Sequence, residues 1–194
     1  MISRRNFVTG VAAVLGAGGL PVGEAMAHHT KKKRKNFKVN PKHIPQTVRY
    51  KTPHRRGTIV VDPHNRYLYL VQGGGRARRY GVGVGRAALA WSGTAKIKRK
   101  AEWPSWTPTQ NMIKREPHKY ARYAGGVPGG PNNPLGARAL YLYKGNRDTY
   151  YRIHGTTQPW TIGTASSNGC IRMINDHVID LYNRTPIGTT VVVL

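Results

Sequence analysis

The chain has 194 residues, 39% of them hydrophobic, and its 32 Lys and Arg against 7 Asp and Glu give a formal net charge of +25. That length holds one domain with a real core and is tight for two, and the charge calls for an anionic partner without choosing among nucleic acid, phospholipid headgroups and an acidic envelope polymer. Seven scattered carboxylates and a single cysteine argue against a two-carboxylate glycosidase site, an oxygen-ligated metal site and a cysteine-rich zinc site, so neither a metal nor a cofactor is expected.

Residues 1–27 read as an address. Ser3-Arg4-Arg5-Asn6-Phe7-Val8 matches the bacterial twin-arginine pattern, and an apolar run to about Val22 follows, softened by Gly10, Gly16, Gly18 and Gly19. The run is too short and too glycine-rich to span about 30 Å of hydrocarbon, and Ala25-Met26-Ala27 supplies a small-residue cleavage site. A mature chain starting near His28 in the periplasm is expected. Residues 28–56 are basic and free of acids, with Lys31-Lys32-Lys33-Arg34-Lys35 at the start and Pro41, Pro45 and Pro53 beyond. Such a segment buries too little apolar surface to order itself, which predicts a flexible arm. Its functional reading, for residues 31–56, is a tether to anionic envelope material. Nucleic acid is not expected as a partner, because the compartment lacks it.

From Gly57 to Leu194 the pattern is that of one β-rich domain. Thr58-Ile59-Val60-Val61 and Tyr67-Leu68-Tyr69-Leu70-Val71 flank the turn-forming Asp62-Pro63-His64-Asn65, a hairpin signal. Arg79 to Val84 reads as a strand weakened by glycines, and Gly81–Gly85 lacks the strand-then-helix setting of a dinucleotide loop. Ala101 to Pro134, rich in Pro, Gly and Trp, predicts long functional loops. Ala139–Tyr143 and Thr149–His154 predict a second hairpin around Gly145-Asn146. One helix is expected after Asn175 as N-cap, with Val178, Leu181 and Tyr182 at helical spacing, and a buried strand closes the chain at Thr189–Leu194. The fold class is therefore mainly β and sandwich-like, with one helix in the C-terminal half.

Two residues carry chemistry. Cys170 is the only cysteine, so an exported chain cannot pair it internally. Ser166-Ser167-Asn168-Gly169 places a small polar loop before it, and the Gly169 and Cys170 amides are candidate oxyanion donors. A thiol of ordinary pKa needs a base. Among eight histidines, His28, His29, His43 and His54 fall in the arm, His64 in a turn, His118 in a loop and His177 at the helix start. His154 alone ends a strand and exits into Gly155-Thr156-Thr157, and a backbone carbonyl such as that of Gly155 is the expected orienter of its ring.

His154-Gly155 followed by SSNGCIRM resembles the L,D-transpeptidase catalytic domain of bacterial cell-wall enzymes, the YkuD family. GTIVVD from Gly57, WPSWTPT from Trp103, GGPNNPLGARAL from Gly129 and the closing VVVL support the resemblance. It implies a YkuD-type fold, Cys170 as acylated nucleophile, His154 as proton donor and acceptor, Gly155 as backbone orienter, and Arg172, Asn168 and Ser167 at the substrate. It also implies transfer from a stem tetrapeptide of peptidoglycan, with loss of D-alanine, to an amine of another stem peptide or an outer-membrane protein. Separately, a monomer is expected. Carboxypeptidase or D-amino-acid exchange activity and a non-catalytic wall-binding module are the alternatives. Asn168 departs from the family's histidine two residues before the cysteine.

Overall fold

The computed structural model describes residues 37–86 and 91–194. The β-branched and aromatic runs form strands β1 (Gln46–Arg49), β2 (Ile59–Asp62), β3 (Tyr67–Gly73), β4 (Arg76–Gly81), β5 (Val84–Gly85), β6 (Gly93–Glu102), β7 (Arg138–Lys144), β8 (Arg147–His154), β9 (Ala165–Ser167), β10 (Ile171–Arg172) and β11 (Thr190–Val193). Nine of them build one sheet in the order β1-β4-β3-β2-β11-β6-β7-β8-β10, and β5 pairs with β9 apart from it. Both hairpins read from the sequence are present, β2 antiparallel to β3 and β7 antiparallel to β8. The closing strand β11 is central, parallel to β2 and antiparallel to β6.

The helix α3 (Asn175–Arg184) lays Val178 and Leu181 on the core formed by Ile59, Leu68, Ile97, Leu140 and Ile153. Each such side chain contributes roughly 1.5–3 kcal/mol relative to exposure. Lys100 on β6 reaches the far end of α3, where its ammonium donates to the Tyr182 and Thr185 carbonyls at 2.7 Å each. A cation there satisfies orphan acceptors and opposes the negative end of the helix dipole. Asn175 is not the N-cap: Ile174 holds that place, and the Asn175 side chain points away from the helix.

Four further expectations need correction. Residues 37–56 are not a flexible arm. Thr47 and Val48 suit a strand, and β1 pairs antiparallel with β4, from Gln46 opposite Arg79 to Arg49 opposite Arg76. The Tyr50 ring stacks on Tyr69 at 4.2 Å between centroids, and the buried His43 lies against Gly81 and Gly163, where no side chain would fit beside it. The leader and the lysine run lie outside the described residues. Secondly, β6 is a strand that the sequence does not announce, because its charges mask an alternation in which only Ala95 and Ile97 are buried along its first half. Thirdly, the stretch after Glu102 carries two short helices, α1 (Gln110–Arg115) and α2 (Pro117–Tyr120), so His118 is helical rather than in a loop. Finally, the glycine run from Gly81 divides into the end of β4 and β5, in different sheets.

Candidate active site

β10 runs parallel to β8, with Ile171 opposite Ile153 and Arg172 opposite His154. Side chains alternate along a strand. Ile153 and Ile171 enter the core, so His154 and Arg172 share the other face, joined by Cys170 immediately before β10. The strand pair thus sets Cys170 one strand spacing across from His154 and two residues along.

His154 is 4% exposed, and its Nδ1 lies 2.6 Å from the Gly155 carbonyl oxygen. A carbonyl only accepts, so the proton sits on Nδ1 and the Nε2 lone pair is left for chemistry. Burial, then the Arg172 guanidinium, lower the pKa of the imidazole to about 4, with Arg152 acting in the same sense and the Gly155 and Leu135 carbonyls in the opposite one. The Gly155 amide donates to the Arg138 carbonyl at 3.0 Å, which fixes the exit from β8.

The Cys170 thiol is partly exposed and donates to the Tyr150 carbonyl at 3.7 Å. Tyr150 has φ of 61°, in the left-handed region, and the residue is 70% exposed. The β7–β8 register slips between Tyr141 and Tyr143, and the Tyr150 amide bonds the Asp148 carboxylate at 2.8 Å, so a bulge aims this carbonyl at the sulfur. Burial pushes the thiol pKa up, against the Arg152 amide and the Arg152 and Arg172 charges. Both shifts favour the neutral form, of the thiol and of the imidazole. Sequence reading missed Tyr150, since a positive φ at a tyrosine leaves no mark in a β-like pattern.

The loop before the cysteine differs from expectation. The Gly169 amide is not open toward an oxyanion: it donates to Ser167 Oγ at 3.2 Å, and Ser167 Oγ in turn donates to the Cys170 carbonyl at 2.6 Å. Ser167, 2% exposed, is an internal brace of the turn rather than a substrate contact. The Gly169 φ of 116° explains the glycine, because an L side chain avoids that conformation. Asn168 faces protein: its amide donates to the Tyr120 hydroxyl at 2.6 Å, and its oxygen accepts from Arg86 and Arg115 at 3.1 and 3.2 Å. Arg86 also pairs with Glu116 at 2.9 Å, which, with Lys119, holds that carboxyl below its ordinary range. Asn168 therefore fastens the cysteine loop to α1 and α2. Arg172 pairs through its backbone with Gly83 in both directions, at 2.8 and 2.9 Å. Its half-buried guanidinium makes no hydrogen bond to any described residue and carries its charge toward Cys170 and Tyr120.

Comparison with known proteins fits this geometry. The family model "L,D-transpeptidase catalytic domain", YkuD, matches residues 56–193. The probable L,D-transpeptidase ErfK/SrfK of Escherichia coli is 32% identical over 155 residues, 78% of this chain and 48% of that protein. A putative L,D-transpeptidase of Fuscovulum blasticum is 39% identical over 140 residues, 70% of this chain and 68% of that one. The chain spans about half the length of the Escherichia coli relatives it matches. The crystal structure of a probable carnitine operon oxidoreductase from Brucella melitensis is 56% identical, with a TM-score of 0.55 over 80% of this chain and 96% of that one. An Enterococcus faecium L,D-transpeptidase shares the fold at 17% identity, with a TM-score of 0.51 over 72% of this chain and 50% of that one. A model match across most of the chain, with relatives of that name at 30% identity and above, makes the assignment: the chain belongs to the YkuD family of L,D-transpeptidase catalytic domains.

Proposed function

We propose that the chain is an exported peptidoglycan L,D-transpeptidase in which Cys170 is the nucleophile and His154 the base. The observation that carries this reading is the parallel pairing of β8 and β10, which sets a partly exposed thiol one strand across and two residues along from an imidazole whose Nδ1–H is held by the Gly155 carbonyl. As the sulfur attacks the carbonyl preceding the terminal D-alanine of a stem tetrapeptide, its proton passes to His154 Nε2. With the Gly169 amide engaged by Ser167, the Cys170 amide is the donor left for the oxyanion. The C–N bond breaks, D-alanine takes the proton from His154, and a thioester remains on Cys170. An amine, by family resemblance the side-chain amine of diaminopimelate in a second stem peptide, attacks that thioester and gives its proton to His154. Amide product leaves and the thiol is restored. An outer-membrane protein amine gives attachment instead of a cross-link, and water or a D-amino acid gives hydrolysis or exchange. Arg172 contributes positive charge beside the sulfur and the entering substrate.

Two other readings are less supported. Oxidoreduction, named for the Brucella melitensis structure, would need a cofactor cradle, and the glycine run of this chain continues as strand rather than opening a helix. A wall-binding module has no use for a held imidazole beside a thiol. Intact-mass measurement after incubation with a carbapenem separates them. The sulfur opens the lactam ring and keeps the whole molecule, so a shift equal to the carbapenem mass, mapped to Cys170, is expected; an unmodified Cys170 would refute the acyl-transfer reading.

We also propose periplasmic export through residues 1–27, and contact with anionic envelope material through the basic residues that follow. With residues 37–56 folded, part of that contact is a face and not a tether: Arg49 stands opposite Arg76 on β1 and β4, like charges whose pairing weakens the sheet. Fractionation is expected to place the wild type in the periplasm, sedimenting with envelope and released by high salt. Arg4→Lys with Arg5→Lys should stay cytoplasmic, and a periplasmic double variant would sink the export signal.

A further inference from the structure

We infer that Asn175 is a positioning residue that completes the cysteine–histidine pair through a single peptide unit. The inference rests on the reading of His154 as the base. The unit joins Gly155 to Thr156. Its carbonyl oxygen accepts the His154 Nδ1–H at 2.6 Å, and its N–H, that of Thr156, donates to Asn175 Oδ1 at 3.1 Å. Asn175 thus grips the opposite end of the same rigid plane that holds the imidazole. A second amide, that of Ala137 at the entry to β7, donates to the same oxygen at 3.1 Å. The one side-chain oxygen therefore ties the exit from β8 to the entry of β7.

Three features mark this as a built arrangement. Asn175 sits at the first position of α3 but gives the helix nothing, because the cap is Ile174 and no side-chain cap bond forms there. Glycine occupies both Gly136 and Gly155, and a Cβ on either would collide with Asn175 Oδ1. The oxygen can reach the two amides only because both neighbours lack side chains. Hydrogen bonds in series also polarise one another, by roughly 10–30% each. Withdrawal of the Thr156 N–H toward Asn175 makes the Gly155 carbonyl a better acceptor and holds the proton on Nδ1, so that the Nε2 lone pair stays free as a base.

The amide is also the right choice over a carboxylate. A neutral acceptor fixes the ring without lending it charge. An aspartate in its place would keep both hydrogen bonds and, by its charge, favour the imidazolium against the opposing Arg172 and Arg152.

The test uses the mature chain with Asn175→Ala and Asn175→Asp, read by the rate of carbapenem acylation against pH, by the His154 Nδ1–H proton resonance, and by thermal unfolding. Asn175→Ala is expected to slow acylation on the order of tenfold and to lose the resonance to solvent exchange. Asn175→Asp is expected to retain the resonance and the rate at neutral pH, and to move the acid limb of the profile upward. An alanine variant that keeps both rate and resonance, changing only thermal stability, would overturn the proposal. If the alanine variant does not fold, the aspartate variant decides: an unmoved acid limb counts against Asn175 and an upward shift supports it. The resonance needs no turnover, so a wild type that is never acylated but loses the signal on Asn175→Ala would sink the proposed reaction and leave the role of Asn175 standing.

Discussion

Cys170→Ala is expected to abolish muropeptide cross-linking and thioester formation outright while leaving the fold intact. The chain contains one cysteine, so no second thiol can take over. The fold loses little with it: the sulfur's contacts are weak, to the Tyr150 carbonyl at 3.7 Å and to the Arg152 amide, and the turn beneath is held by Ser167 and not by the thiol. Thermal unfolding should shift by no more than a few degrees, because a small, partly exposed side chain with one weak S–H donor is being trimmed. Cys170→Ser is the sharper variant. It keeps an atom in place of the sulfur, but an imidazole held to a pKa of about 4 is a weak base for a hydroxyl far less acidic than a thiol. Turnover by the serine variant should be undetectable as well. Measurable cross-linking by either variant, in muropeptides analysed by mass spectrometry, would refute Cys170 as the nucleophile.

How legible the fold was depended on how local each element is. The two hairpins declare themselves because strand, turn and strand are neighbours in sequence, with Asp62-Pro63-His64-Asn65 and Gly145-Asn146 at their tips. Residues 46–49 do not, since their strand exists only through β4, thirty residues on. Their composition alone predicts a solvated arm, and the partner strand overrides it. β6 fails for another reason: long basic side chains cover its outer face, so its inward pair Ala95 and Ile97 is outnumbered. The parallel alignment of β8 with β10 is likewise invisible to periodicity, although it is what sets Arg172 opposite His154 and Cys170 two residues before it.

At the site, residue type was readable and hydrogen-bond direction was not. A lone cysteine after a glycine, and a histidine at a strand end before a glycine, are chemical signals in their own right. Gly169 reads as an oxyanion donor, yet its amide turns inward to Ser167, and the glycine is there for its φ. Asn168 reads as a substrate contact, yet its three polar contacts run to Tyr120, Arg86 and Arg115. Asn175 reads as a helix cap, which is the local answer for an asparagine before an apolar run. Its actual partners, the amides of Ala137 and Thr156, lie 38 and 19 positions away. In each case a local rule gave way to a long-range partner.

His154→Ala is expected to slow acylation of Cys170 by on the order of a hundredfold or more, the usual loss when a general base is removed. The pH profile gives the assignment its particular signature. Burial first, and the Arg172 guanidinium second, bring the imidazole from its ordinary 6.5 to about 4. The base form is therefore present throughout the neutral range and is lost only as pH falls through about 4. The acid limb of the wild-type acylation rate should lie there, well below the position of an unperturbed histidine. The thiol moves the opposite way, pushed up by burial, which disfavours a preformed thiolate–imidazolium pair and favours loss of the sulfur's proton as the new bond is made. Stability follows the same sign. An unfolded chain takes up this proton near pH 6.5 and the folded one only near 4, so the buried neutral ring stabilises the fold above about 6.5 and that contribution is lost as pH falls between the two values. His154→Gln keeps the bulk of the ring without a titratable nitrogen, and it should lose the rate together with the acid limb. A variant acylated within tenfold of the wild-type rate, or a wild-type limb near pH 6.5 in carbapenem acylation followed by mass spectrometry, would sink His154 as the base in this environment.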